Sequence, residues 1–200
     1  MEIETLINYY LKIFIILTPF FVLSAFLSLT RDFQDFEKKR IAIRVTIAVM
    51  ISSFVIYLFG KYIFDLFGIT LDAFRIGAGT ILFLSALSML ADKDDMASQS
   101  NNRDIAVVPL AMPMTVGPGV IGVLLVMGAE AGSLVEKIMI AGALFLAVIS
   151  LGVLLYLSSA VKRLIGDQGL VILPKITGLF VAAIAAQIIF TGIQNFLKIN

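Results

Sequence analysis

The chain contains no cysteine and no histidine. The first absence removes disulfides, thiolate nucleophiles and zinc–thiolate sites. The second removes the commonest metal ligand and the side chain best suited to carry a proton near neutrality. Charge is scarce as well: 14% of the 200 residues are Asp, Glu, Lys or Arg, against about 25% in a soluble domain of ordinary composition. A net charge of +1 with no basic cluster gives no reason to expect a nucleic-acid partner. The opening residues, Met1-Glu2-Ile3-Glu4, lack the positive flank of a cleavable signal. Acidic residues there suit a first helix that inserts directly, with its N-terminus outside.

What the chain does have is apolar length. It is 60% hydrophobic, with a mean hydropathy of +1.04, and its apolar stretches approach the roughly twenty residues that a membrane helix needs. Six spans are predicted, at about 6–30, 41–64, 73–91, 105–128, 137–160 and 173–196. The fold class is therefore all-α and polytopic: one membrane domain over residues 1–200, with no room for a sizeable soluble domain. Residues 31–40 form the most charged connector. Residues 92–104 form the longest and most polar one, and 161–172 join the last two spans.

Lys and Arg in the short connectors set orientation. Ten of them, from Arg31 to Lys175, fall after spans one, three and five, and five fall on the opposite side. That count puts the connectors after odd-numbered spans, including 92–104, in the cytoplasm and both termini outside a bacterial or archaeal inner membrane. Three spans per half (about 6–91 and 105–196) mean that related halves would lie in opposite orientations, the inverted-repeat plan of many secondary transporters. Direct support is limited to two features. Phe74-Arg75-Ile76-Gly77 and Pro174-Lys175-Ile176-Thr177 open the third span of each half, and spans one and four both carry a break.

The larger break is Pro109-Leu-Ala-Met-Pro-Met-Thr-Val-Gly-Pro-Gly119, with three prolines and two glycines in eleven residues of span four. A proline inside a helix removes one backbone bond and clashes with the preceding turn. Irregular backbone at membrane depth is tolerated where it is buried in protein or lines a wet cavity. If Gly117, Pro118 and Gly119 start a second half-helix, its free N–H groups attract an anionic group. Carbonyls ending the first half-helix near Pro113 and Met114 suit an ammonium, and Thr115 offers a hydroxyl between the two. Together these ends complement an amino acid zwitterion. A structural kink whose carbonyls are met by neighbouring hydroxyls is the competing reading. In span one, Pro19 is expected to free the carbonyl of Ile15, and Thr18 to offer a hydroxyl to substrate or backbone; a plain kink competes here too. Gln187, the one amide deep in span six, has two uses open to it, a broken-helix carbonyl or the substrate.

Three segments carry a family resemblance: Leu71-Asp-Ala-Phe-Arg-Ile-Gly-Ala-Gly79, Asp104-Ile-Ala-Val-Val-Pro-Leu-Ala-Met-Pro-Met-Thr-Val-Gly-Pro-Gly-Val-Ile121 and Ile176-Thr-Gly-Leu-Phe-Val-Ala-Ala-Ile-Ala-Ala-Gln187. With them the chain resembles, over nearly its whole length, the MarC family of bacterial and archaeal inner-membrane proteins, which includes small neutral amino acid transporters. The resemblance implies six membrane helices in two inverted repeats, periplasmic termini and transport of small solutes. Span one departs from the family pattern. Thr18 stands where Asn is usual, Phe21 where Gly is, Val22 where Asn is and Ser24 where Pro is; Pro19 is kept.

Remaining features have plainer readings. Arg75 and Lys175 are expected to snorkel to headgroups from shallow positions, with Asp72 able to pair with Arg75 or Lys61. Ser24 and Ser28 share a face and either line a path or bond their own helix. Gly178, Ala182 and Ala186 recur every four residues and allow close helix packing. No Asp or Glu lies inside a span, so no relay of buried carboxylates is visible.

The expected function is transport of small neutral amino acids of the glycine and alanine class, by alternating access around the two breaks. The candidate substrate-binding residues are Thr18, Pro19, Pro113, Met114, Thr115, Gly117, Pro118, Gly119 and Gln187. The alternative is a non-transporting assembly or structural component of the membrane. An enzyme is not expected, since a lone Ser or Thr without a base is a poor nucleophile. No cofactor or metal is implied, the expected partners are the solute and membrane lipid, and the oligomeric state is left open.

Overall fold

The structure is a computed structural model that describes residues 2–90 and 115–197. Its elements are α1 (Glu2–Ile16), α2 (Pro19–Leu29), α3 (Asp35–Phe67), α4 (Leu71–Leu90), α5 (Pro118–Glu130), α6 (Leu134–Tyr156) and α7 (Ser158–Leu197). No strand occurs among the described residues. Five segments are long and apolar enough to cross a membrane: α1 with α2, the first 25 residues of α3, then α4, α6 and α7. The 13-residue α5 is too short to cross alone. It is the second half of span four; the first half, with Pro109, Pro113 and Met114, and the 92–104 connector lie outside the described residues.

Span one is divided as its proline implies. Pro19 has no N–H to extend α1. Thr18 turns the chain at φ 49°, ψ 56°, and α2 starts afresh with Pro19 in its first turn. With 15 residues before the turn and 11 after it, the break falls near the middle of the span. The carbonyl of Ile15 is not left free, contrary to the expectation from proline alone. The last turn of α1 tightens, and Thr18 N donates to Ile15 O at 2.9 Å.

Two boundaries differ from the hydropathy reading. α3 begins at Asp35, inside the charged connector, because Gln34 and Glu37 form a reciprocal capping box and acidic Asp35 and Glu37 suit the helix start. The 161–172 connector is helical too. Only Gly166, at φ 68° and ψ 177°, breaks the helical path inside α7. Hydropathy missed both extensions: the start of α3 is set by capping, and in 161–172 core-packed Val161 and Leu170 are interspersed with Lys162, Arg163 and Asp167.

The bundle buries Val22, Leu23, Phe26, Val45, Val49, Leu144 and Leu151 almost completely. It turns large apolar side chains outward: Ile47, Ile51 and Leu58 on α3, Phe145 on α6, and Leu179, Phe180 and Phe190 on α7 are all exposed. An apolar exterior of this kind suits lipid. Span one packs on α6 and α7, α5 packs on α3 and α4, and α3–α6 and α4–α7 complete the set. Small residues bring α4 and α7 together as their spacing predicts. A Cβ on Gly178 would lie 3.2 Å from the carbonyl of Ala86, and one on Gly79 would lie 2.7 Å from Ile189 Cγ1.

Candidate functional site

The two helix starts meet. A partly open cavity of ≈ 240 Å³ is lined by Thr18 and Phe21 at the span-one break, by Gly117, Pro118, Gly119 and Val120 at the start of α5, and by Ser85 and Ser88 on α4. Ile16, Leu82, Met89 and Val181 complete its described lining. One water occupies about 30 Å³ of liquid, so the space suits a solute of several heavy atoms.

Local sequence explains the donors. Gly117 caps α5 in extended conformation (φ −78°, ψ 174°) and Pro118 takes the first helical position, where its missing N–H costs nothing. The first intrahelical bond is Ile121 N to Gly117 O, 2.9 Å, so the N–H groups of Gly119 and Val120 have no partner within the helix. α2 repeats the arrangement: Pro19 is in its first turn, and its first bond is Val22 N to Thr18 O, 3.0 Å. Neither start has a side-chain cap. Two positive helix ends thus border one cavity.

The acceptors come from α4. Ser85 Oγ donates to Ile81 O at 2.9 Å and Ser88 Oγ donates to Ser85 O at 2.7 Å. Each hydroxyl has spent its proton on the helix and keeps oxygen lone pairs for an incoming donor. Cationic and hydroxylic donors of a solute are therefore met at α4, and anionic groups at the helix starts.

Of the sequence candidates, Thr18, Gly117, Pro118 and Gly119 line the cavity together. Pro19 is buried behind the turn. Thr115 is fully buried just before α5 and is not among the lining residues. Gln187 is exposed on α7, away from the lining, and its backbone carbonyl accepts from Thr191 Oγ1 at 2.8 Å. Pro113 and Met114 lie outside the described residues. Ser85 and Ser88 were not singled out from sequence. Their signal was two hydroxyls one turn apart in an apolar helix, the same pattern as Ser24 and Ser28, and spacing alone does not say which pair faces a cavity. Gly119 also has a packing role: a Cβ there would lie 3.0 Å from Leu82 Cα.

Arg75 does not snorkel. Its side chain is 11% exposed and pairs with Asp72 on its own helix and with Glu130 at the end of α5. Asn195 Nδ2 of α7 donates to Asp72 Oδ1 at 3.3 Å. The side chain stays inward because two carboxylates lie there, a stronger attraction than headgroups. At the same end Tyr9 Oη of α1 donates to Glu136 Oε1 of α6 at 3.0 Å, and Tyr57 Oη of α3 donates to Lys137 O at 3.0 Å. Polar contacts at this end thus link spans three, four and six in one set and spans one, two and five in another.

An all-helical bundle with an apolar exterior and interrupted helices beside a partly open cavity defines the class: a polytopic integral membrane protein. Within that class the chain belongs to the MarC family; the model described as "MarC family integral membrane protein" matches residues 3–197. It is 34% identical to the UPF0056 membrane protein MJ1677 of Methanocaldococcus jannaschii, covering 98% of this chain and 100% of the relative. It is 29% identical to a UPF0056 membrane protein of Aquifex aeolicus, covering 94% of this chain and 92% of the relative. A third relative, from Archaeoglobus fulgidus, is 32% identical over 92% of this chain and 90% of its own length. No solved structure matches.

Proposed function

We propose that the protein is a secondary transporter for small neutral amino acids of the glycine and alanine class. The observation that carries this reading is the convergence of two uncapped helix starts and two serine oxygens on one cavity. A carboxylate placed at Gly119 and Val120 accepts from N–H groups with no helical partner. An ammonium placed at Ser85 and Ser88 donates to oxygens whose own protons are already committed. The walls contributed by Phe21, Leu82 and Met89 favour an apolar or absent side chain on the solute. No cavity residue described is ionisable, which favours a net-neutral solute and a carrier over an enzyme, since a serine nucleophile needs an adjacent base.

The halves act as inverted repeats that rock about this cavity and open it to one side at a time. Support comes from the packing. Exchanging spans one, two and three with four, five and six leaves the set of principal helix pairs unchanged: span one on five becomes span four on two, span one on six becomes span four on three, and the other two pairs map onto themselves. The Lys and Arg count supports a bacterial or archaeal inner-membrane orientation with both termini outside.

The test is counterflow with the purified full chain in liposomes. Vesicles loaded with alanine are expected to accumulate labelled glycine or alanine transiently and saturably, and not labelled glutamate or lysine. Absence of saturable flux of any small neutral amino acid, from a protein shown to be folded in the vesicles, contradicts the reading and favours a non-transporting membrane component.

A further inference from the structure

Two recesses meet at the end of the bundle where α3 begins and α6 gives way to α7. One, of ≈ 170 Å³, is lined by Lys38, Lys39 and Arg163 together with Asp35 and Ser159. The other, of ≈ 410 Å³, runs along the outer face between α3 and α6 and is walled by Ile43, Ile47, Ile149 and Val153. Tyr156 and Leu157 line both, so the polar recess is contiguous with the apolar groove.

The polar recess has an excess of unspent positive charge. Three cations against one carboxylate leave a net of +2 (3 − 1) in its lining. Asp35 is engaged, accepting from Ser159 Oγ at 2.8 Å. The adjacent Lys162 is paired with Asp167 at 3.2 Å, whereas no ion pair is made by Lys38, Lys39 or Arg163 among the described residues. Lys39 Nζ instead sits 5.1 Å from the centre of the Tyr156 ring, at the seam between the recesses, an attraction that holds the ammonium there without neutralising it.

The groove is suited to hydrocarbon. Along its apolar walls the hydroxyl of Thr46 donates to Ala42 O at 2.7 Å within α3, and the Tyr156 phenol lies at the end shared with the polar recess. Gly152 forms the floor: a Cβ there would lie 2.6 Å from Thr46, so only glycine lets α6 pack this closely on α3. Ile47 and Val153, on either wall, are 53% and 52% exposed.

We propose that this composite recess binds one anionic glycerophospholipid, with its phosphate among Lys38, Lys39 and Arg163 and an acyl chain along the α3–α6 groove. Charge complementarity selects this occupant. A molecule with an anion at one end and hydrocarbon running from it matches a groove whose cations lie at one end only. A zwitterionic phospholipid brings an ammonium that the recess repels. Basic pockets at helix ends that take anionic headgroups follow the same physics. This inference is independent of the transported solute, because the recess and the central cavity share no lining residue.

The test is native mass spectrometry of the full chain in detergent with equimolar dioleoyl phosphatidylglycerol and dioleoyl phosphatidylcholine. One phosphatidylglycerol is expected to stay bound under activation that strips phosphatidylcholine. The double variant K39Q/R163Q is expected to lose that preference about tenfold. K162Q, at the same membrane edge but with its charge committed to Asp167, is expected to keep it. V153W, which fills the groove from its lipid-facing wall, is expected to weaken retention without touching the charges. Equal retention of the two lipids by the unaltered chain overturns the proposal, as does an equal loss with K162Q. Displacement of bound lipid by millimolar inorganic phosphate also overturns it, in favour of a free-anion site. A dimer that V153W dissociates overturns it in favour of a second copy in the groove. If K39Q/R163Q does not fold, the two-lipid comparison and V153W still decide the question.

Discussion

Thr18 is the single described non-glycine residue with a positive φ, 49°. A β-branched side chain fits that region poorly, and Asn is the residue other than glycine that visits it most readily. The resemblance described from the sequence has Asn at this position, so that departure carries a conformational consequence. T18N is expected to raise thermal stability by up to about 1 kcal/mol while keeping the break between α1 and α2. Thermal unfolding of the two purified proteins in one detergent checks it, and a lower midpoint for T18N contradicts the strain assignment. Gly119 presents the opposite case. G119A places a Cβ 2.8 Å from Leu82 Cδ1 and 3.0 Å from its Cα, whereas Gly77 has nothing within 4 Å of an added Cβ. G119A is expected to destabilise by about 1–3 kcal/mol through overpacking of α5 on α4, and G77A to be neutral or slightly stabilising, since alanine favours helix over glycine. Comparable midpoints for the two variants would remove Gly119 from the helix contact. At the cavity itself, S85A and S88A each remove one acceptor for an ammonium. Each is expected to weaken glycine and alanine affinity about tenfold, the scale of a hydrogen bond to a charged group, with little change in unfolding temperature. Isothermal titration of the detergent-solubilised protein separates affinity from stability.

At the scale of elements, the break in span one and the start of α5 were legible because proline acts through covalent geometry, which no tertiary context reverses. The beginning of α3 and the helix over most of 161–172 were not. Gln34 and Glu37 cap α3 through side-chain bonds to backbone, and around Gly166 the charges of Lys162, Arg163 and Asp167 interrupt the apolar residues that pack on the core, so neither leaves a continuous apolar period. Arg75 was placed at the correct helix end with Asp72 as an available partner, and its second partner Glu130 and its inward direction were not foreseen. Hydropathy gives depth in the membrane, whereas the direction of the side chain was decided by Glu130, fifty-five residues away in sequence (130 − 75). That contact fastens the end of α5 to α4, two elements that both line the candidate cavity. R75A is expected to cost roughly 1–3 kcal/mol. The upper figure reflects the loss of a buried partner, and the discount reflects Glu130, which is 39% exposed. E130Q is expected to cost less, because Asp72 still holds Arg75. Unfolding midpoints with the reverse order would show that the contact to Glu130, and not the pair within α4, dominates.

For the whole molecule, hydropathy alone sufficed to identify a polytopic helical bundle. It did not reveal which spans touch, and the candidate site depends on those contacts. Thr18 and Gly119 are a hundred and one residues apart (119 − 18) and line one cavity because span one and α5 both pack against the α4–α7 pair. Ser85 and Ser88 enter the site for the same reason, carried there by α4, and their recognition required the packing and not the sequence pattern. The lipid recess between α3 and α6 lies on the outside of the same arrangement. The central cavity is thus a property of the assembled bundle, and its two helix starts are useful only when α4 supplies the complementary oxygens.

The absence of cysteine makes the decisive measurement clean. A single cysteine introduced as S88C provides the only thiol in the chain, in the α4 lining of the cavity. In proteoliposomes a small, charged methanethiosulfonate reagent is expected to modify it, and alanine or glycine is expected to slow that modification severalfold, about the occupancy effect of a bound solute at several times its dissociation constant, while glutamate and lysine leave the rate unchanged. Modification at the same rate with and without alanine or glycine, in protein that remains folded and accessible to the reagent, would contradict the assignment of this cavity as the solute site.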